Sequence, residues 1–242
     1  MLRIDDMDRE RMRPEYVADI FDTLQFMQLQ YKGGPGNVTD FEENWSQLQR
    51  MDLYNAALEQ LRDSGLVFAC DCSRTKVLQD HPLGHYQGTC MHKSIPLDTP
   101  GVSWRIDTTS LEQVHVNTLE NGGVDMLLPE SVHYFVVRKK DGFPAYQLTS
   151  LIDDLHFGVD LVVRGIDLWD STCAQLGLAK ALNQPGFQQT VFHHHPLLTD
   201  TGNMKLSKSA GATSIKYQRE QGATRADILQ LITQKGDTIL FS

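Results

Sequence analysis

The sequence predicts an α/β fold, a parallel sheet with helices on its faces. Residues 147 to about 155 read as a helix, 160–164 as a strand, 171–182 as a helix and 190–193 as a strand, the alternation that parallel sheets require. Apolar residues also recur at the helical period in two segments upstream, and short bounded apolar runs have strand length.

Pro14, whose fixed φ suits a first helical position, opens the first helix with Glu15 beside the positive end of its dipole. Val17, Ile20, Phe21 and Leu24 follow on one face, and Gly33-Gly34-Pro35-Gly36 stops the pattern. A second helix carries Met51, Tyr54, Leu58 and Leu61 and ends at Ser64-Gly65. Residues 66–69 read as a short buried strand that runs into cysteines. From residue 67 to 132 the composition changes, with His, Pro, Gly and Thr between short β-like runs such as 102–106, so this stretch reads as an insertion. It separates residues 1–66 from residues 133–242. Residues 134–137 and 143–146 flank Lys140-Asp141-Gly142 as a hairpin. Asn183-Gln184-Pro185-Gly186 closes the helix over 171–182, and Thr224 with Asp227 forms a capping box ahead of Ile228, Leu229, Leu231 and Ile232.

The 242 residues, 40% hydrophobic and 22% charged, suffice for one large domain or two small ones and exclude disordered, collagen-like and disulfide-rich classes. No window reaches the roughly eighteen apolar residues of a membrane span, and no apolar stretch backs the charges of residues 1–13. A soluble cytoplasmic chain with no membrane partner is expected. The net charge of −9 argues against holding nucleic acid through bulk charge, so any RNA contact is local. Residues 201–219 carry Lys205, Lys208, Lys216 and Arg219 without an acid, which suits either a polyanion or a solvated loop.

Of four cysteines, Cys70, Cys72 and Cys90 fall in one short segment, which in a cytoplasmic chain suggests metal. Three thiolates fill three of the four tetrahedral positions of zinc; a histidine is the ordinary fourth, and His81, His85 and His92 are all near. Bound zinc would also stabilise a segment poor in apolar residues. Cys173, on a helix, reads as packing. Asp153 and Asp154, adjacent acids near a helix end, read as solvated. Among His193, His194 and His195, only the first and third share a strand face. In Lys205-Leu206-Ser207-Lys208-Ser209, two lysines among small hydroxyl residues suit a phosphate chain whose charge shifts during reaction.

That last segment resembles the KMSKS signature of class I aminoacyl-tRNA synthetases, followed as in the glutamate-specific group by Ala210-Gly211-Ala212-Thr213. The order and spacing of Tyr146-Gln147-Leu148-Thr149-Ser150, Asp153-Asp154, Val162-Val163-Arg164-Gly165-Ile166-Asp167-Leu168 and Asp170-Ser171-Thr172 are similar to the glutamyl-tRNA synthetase pattern. Leu2-Arg3-Ile4-Asp5-Asp6 resembles that family's LRIED segment. The few residues after Ser209 leave no room for an anticodon-binding domain, and Cys70-x-Cys72 with Tyr86-x-x-x-Cys90 is similar to the zinc site of glutamyl-Q tRNA(Asp) synthetases.

The resemblance implies a Rossmann-type class I catalytic domain with a zinc-containing insertion. It implies ATP-dependent activation of L-glutamate and transfer to the queuosine of tRNA(Asp) in the anticodon loop, with magnesium accompanying ATP and no tRNA needed for activation. Lys208 is then catalytic, and Lys205 and Lys208 bind ATP. Arg164 and Tyr146 bind glutamate, with Asp5 near its ammonium, one methylene shorter than the family's glutamate. The three cysteines and Tyr86 ligate Zn2+, with His85 as rival, and the histidine run packs on the nucleotide. A monomer is expected. The family's HIGH segment is not found, so a strand, loop and helix of roughly thirty residues are expected to be missing, through a truncated or misplaced start in preference to a real product that has lost the function, leaving open sheet edges. The alternatives are a glutamate–tRNA ligase catalytic fragment that charges the tRNA 3′ end and a non-catalytic zinc- and RNA-binding remnant.

Overall fold

A computed structural model of the chain describes residues 1–197 and 214–240. The chain divides into two compact units, Met1–Gln49 with Pro196–Ser242, and Arg50–His195.

In the first unit the opening residues are extended, and the Leu2 amide donates to the Gly33 carbonyl at 2.7 Å. Gly34 has φ +104°, and a Cβ there would sit 2.1 Å from the Leu2 carbonyl oxygen, so only glycine fits. The buried Asp6 carboxylate accepts from Ser46 Oγ at 2.7 Å, the Gln47 amide at 2.7 Å and Arg9 Nη1 at 2.8 Å. Helix α1 (Pro14–Phe26) starts at its proline as expected and buries Val17. A short α2 (Val38–Asp40), capped by the Asn37 side chain, runs into a π-type turn (Phe41–Trp45) whose Phe41 is fully buried. Helices α7 (Ile215–Glu220) and α8 (Arg225–Leu240) follow later in the chain. The Thr224 amide donates to Asp227 at 2.7 Å, the Asp227 amide returns to Thr224 Oγ1 at 3.3 Å, and these bonds hold the Asp227 carboxyl below its usual range. Arg219 pairs with Asp19 of α1 at 2.9 Å, and Arg225 Nε reaches the Met27 carbonyl at 2.8 Å.

The second unit carries α3 (Met51–Asp63), the helix expected from Met51, Tyr54, Leu58 and Leu61, with Gly65 at φ +70° just past its end. Strands β1 (Val67–Cys70), β2 (Ser103–Ile106) and β5 (Val136–Arg138) form an antiparallel sheet in the order β1-β2-β5. Helix α4 (Arg74–Asp80) lies between β1 and β2 in sequence. Strands β3 (Gln113–Thr118), β4 (Gly122–Leu127), β6 (Leu161–Gly165) and β7 (Val191–His195) form the second sheet in the order β4-β3-β7-β6. In it β3–β7 and β6–β7 are parallel, and β3–β4 is an antiparallel hairpin. The stretch 67–132 thus contributes strands to both sheets, through a pairing between residues about 75 apart that no local pattern records. Edge strand β6 exposes Leu161 and Val163, where strands of parallel sheets are ordinarily covered on both faces.

The expected hairpin over 134–146 is present but short. The Lys139 amide donates to the Phe143 carbonyl at 2.8 Å, and a single bridge joins Arg138 to Pro144. The Ala145 amide donates to the Val137 carbonyl at 2.8 Å, so Pro144 stands at the non-hydrogen-bonded position, where no amide is needed, and the ladder stops because Tyr146 begins α5 (Tyr146–His156). Helix α6 (Trp169–Ala181) is buried at every position from 172 to 179.

Asp153 and Asp154 are not solvated: they are 0% and 4% exposed. Arg50 Nε and Nη2 donate to the two oxygens of Asp153 at 2.7 and 3.0 Å, and the Tyr54 hydroxyl adds a third bond at 2.6 Å. The pair joins the start of α3 to α5, and burial beside the carboxylate pushes the Tyr54 hydroxyl well above its ordinary range. Removing the acid strands a buried guanidinium. Asp153→Asn is expected to cost about 3–5 kcal/mol in denaturant unfolding, and Tyr54→Phe about 1 kcal/mol; equal, small losses for both would contradict this arrangement.

Candidate active site and metal centre

The parallel register of β6 and β7 sets Arg164 opposite His194 and Val163 opposite His193. Side chains alternate along β7, so the two histidines diverge. His193 Nδ1 bonds the Glu120 carboxylate, whereas His194 Nε2 lies 2.7 Å from Thr172 Oγ1 on α6. Burial, helped by the nearby Arg164 charge, pushes His194 down to about 4, so its ring is neutral at physiological pH.

Arg164 is held by uncharged groups. Its Nη1 and Nη2 both donate to Gln175 Oε1 at 3.1 Å, and Nη2 also donates to Thr172 Oγ1. Gln175 Nε2 donates to Gln147 Oε1 at 3.1 Å, and Gln147 Nε2 to Ser171 Oγ at 3.1 Å. Among the described residues Arg164 makes no ion pair, and its buried Nε has no hydrogen-bond partner. Burial pulls its pKa down, opposed by Tyr146 and Asp154 nearby. Tyr146, the first residue of α5, is 42% exposed. The structure therefore brings Tyr146 and Arg164 together at a guanidinium with unmet capacity for a carboxylate.

Asp5 belongs to the other unit, where its carboxylate accepts from Arg3 Nε at 2.8 Å. Lys205 and Lys208 lie outside the described residues. Sequence reasoning missed Thr172 and Gln175. Their signal was available: two polar residues three apart in the otherwise apolar stretch 172–179 of the helix share one face.

The thiols of Cys70 at the end of β1, Cys72 and Cys90 lie within 4.8 Å of one another, with Cys72 and Cys90 Sγ at 3.5 Å and no disulfide. The buried Tyr86 hydroxyl accepts the Cys90 amide at 2.7 Å, and the Arg105 guanidinium sits 3.8 Å above the Tyr86 ring. Burial alone would push the Cys70 thiol up, but hydrogen bonds from Tyr86 and Arg105 bring it to about 7. Cys72 is pushed up to about 12 by burial and by the neighbouring thiols. His85 is turned elsewhere: its ring stacks on His81 at 5.0 Å and its Nδ1 lies 3.9 Å from Glu130. Three sulfurs this close, drawn from separate points of the chain, could hold a metal ion.

Residues 1–92 and 105–240 match the family model for the catalytic domain of class I tRNA synthetases (E and Q). The chain belongs to this family. Among curated proteins, the chain is 31% identical to the glutamyl-Q tRNA(Asp) synthetase of Rhodobacter capsulatus, over 96% of the chain and 87% of that protein. It is 34% identical to the glutamyl-Q tRNA(Asp) synthetase of Methylococcus capsulatus over 89% of the chain and 66% of that protein. Glutamate–tRNA ligase 2 of Syntrophus aciditrophicus is 29% identical over 99% of the chain, which spans 51% of that protein. Its relatives are thus aminoacyl-tRNA synthetase ligases of the glutamyl family. The fold agrees: the crystal structure of glutamate-tRNA synthetase from Elizabethkingia anophelis superposes with a TM-score of 0.68 at 22% identity, over 87% of this chain and 46% of that one. No helix among the described residues is long and apolar enough to cross a membrane.

The cysteine cluster is expected to retain about one metal ion per chain, released by chelation with a fall in the thermal midpoint and loss of retention in Cys90→Ser. Elemental analysis that finds no metal, together with a midpoint indifferent to chelator, would contradict it.

Proposed function

We propose that this chain activates L-glutamate with ATP and transfers the glutamyl group to the queuosine of tRNA(Asp). The observation that carries the reading is Arg164, a half-buried cation whose described hydrogen-bond partners are all neutral, beside Tyr146. A carboxylate ligand would satisfy its Nε and balance its charge in a bidentate bond. Similarity over most of their length to proteins named glutamyl-Q tRNA(Asp) synthetase supports glutamate as that ligand.

In this reading a glutamate carboxylate oxygen attacks the α-phosphorus of ATP in line and pyrophosphate leaves. Lys205 and Lys208 bind the phosphates, with magnesium alongside, and Lys208 stabilises the charge that builds on them. A queuosine hydroxyl then attacks the adenylate's carbonyl carbon, forming an ester and releasing AMP. Arg164 and Tyr146 hold the glutamate, and Asp5 attracts its ammonium. Cys70, Cys72, Cys90 and Tyr86 would hold Zn2+, which would supply cross-linking of chain segments and no chemistry. The position of the Tyr86 hydroxyl against Cys90 favours it over His85 as the fourth ligand.

A second reading, charging of the tRNA 3′ end, is favoured by the match to glutamate–tRNA ligases along half their length. Transfer of radiolabelled glutamate to tRNA(Asp) with and without queuosine separates the two. Transfer that requires queuosine is expected, and Arg164→Leu is expected to lower kcat/KM for glutamate about 100-fold. Equal labelling of both tRNAs would support the second reading, and no loss in Arg164→Leu would remove the glutamate role.

A further inference from the structure

We propose that Gln175 is the positioning residue that keeps Arg164 aimed yet without a charged contact, so that the substrate's carboxylate is the first acid to touch it. The proposal rests on the reading of Arg164 as the glutamate-binding cation and adds what sets that cation's strength.

Gln175 is fully buried, and its amide is committed on both sides. The carbonyl oxygen takes both terminal nitrogens of Arg164, and the amide nitrogen gives to Gln147 Oε1. Turning the amide over would set donors against donors and oxygen against oxygen, so the chain Ser171–Gln147–Gln175–Arg164 has one consistent direction. A glutamate in this place would keep both acceptor contacts to Arg164. It would also cancel the guanidinium's charge, as buried arginines ordinarily require. The chain uses the amide instead. The other side chain that accepts from Arg164 is equally neutral: Thr172 Oγ1, itself beside the uncharged His194. The geometry is that of a carboxylate partner with the charge left out, and the buried Nε of Arg164 has no hydrogen-bond partner.

Aim and charge are separable, because Gln175→Glu preserves the acceptor geometry and removes the net charge, whereas Gln175→Met removes the acceptor and keeps the charge. Calorimetric titration of the full chain with L-glutamate and, separately, with ATP reads both, beside thermal unfolding. Gln175→Glu is expected to weaken glutamate binding at least about tenfold, Gln175→Met to weaken it less, and neither to move ATP affinity. The reverse order, Gln175→Met worse than Gln175→Glu, would reduce Gln175 to a geometric support and overturn the proposal. So would glutamate affinity in Gln175→Glu within about twofold of the parent, or a parallel loss of ATP affinity. Should Gln175→Glu fail to fold, Gln147→Glu keeps the acceptor for Gln175 Nε2 at a half-buried position and brings a negative charge one amide further from Arg164. Weaker glutamate binding is again expected, and unchanged affinity would overturn the proposal. A parent chain that does not bind glutamate overturns this proposal and the proposed function together, whereas a binding parent with an indifferent Gln175→Glu overturns this proposal alone.

Discussion

A half-buried guanidinium set against neutral acceptors is the constraint around which the candidate site is built. Arg164 can keep its charge at that depth only if several dipoles face it, and those dipoles must come from different elements. Strand β6 carries the arginine, α6 supplies Thr172 and Gln175, α5 supplies Gln147, and β7 places His194 behind Thr172. The parallel pairing of β6 with β7 fixes which residues stand level, and the hydrogen bonds from Arg164 to Thr172 and Gln175 fix which face of α6 meets that arginine. Fold and site are in this sense one arrangement: a slip of a single residue in β7 would turn His194 away and offer His193 or His195 instead.

Charge is buried more deeply, and differently, at Arg50 and Asp153. There the acid is present, both of its oxygens are used, and a tyrosine completes the set. The contrast separates a structural pair from a receptive cation. The pair is closed and joins α3 to α5, the helix whose first residue is Tyr146, while Arg164 is left open to a ligand. The cysteine cluster meets a third need. Between β1 and β2 the chain has one short helix with no buried residue, and the buried side chains of that stretch are Tyr86 and Cys90 beside Cys70, and Val102 next to β2. A bound ion would supply cohesion that apolar burial does not.

What the sequence made legible was local. Pro14 at the head of α1, Gly65 past the end of α3 and the reciprocal Thr224–Asp227 bonds are each decided within one turn of chain. The class I family was readable from motifs spread along the chain. Less legible was whatever a distant partner decides. Asp153 reads as solvated because Arg50, which neutralises it, lies 103 residues away. Strand β3 reads as part of an insertion because its parallel neighbour is β7. Tyr146 and Arg164 were chosen from resemblance, and their proximity follows from α5 and β6 packing on α6. Gln175 was overlooked because a buried glutamine reads as an anomaly until the cation beside it is seen.

The central claim is that the chain is a glutamate-activating enzyme. Exchange of labelled pyrophosphate into ATP, with glutamate, glutamine and aspartate in turn and without tRNA, tests it most directly. The account predicts exchange that glutamate supports and the other two do not. Exchange indifferent to the amino acid, or none with glutamate even when tRNA(Asp) is added, would contradict it.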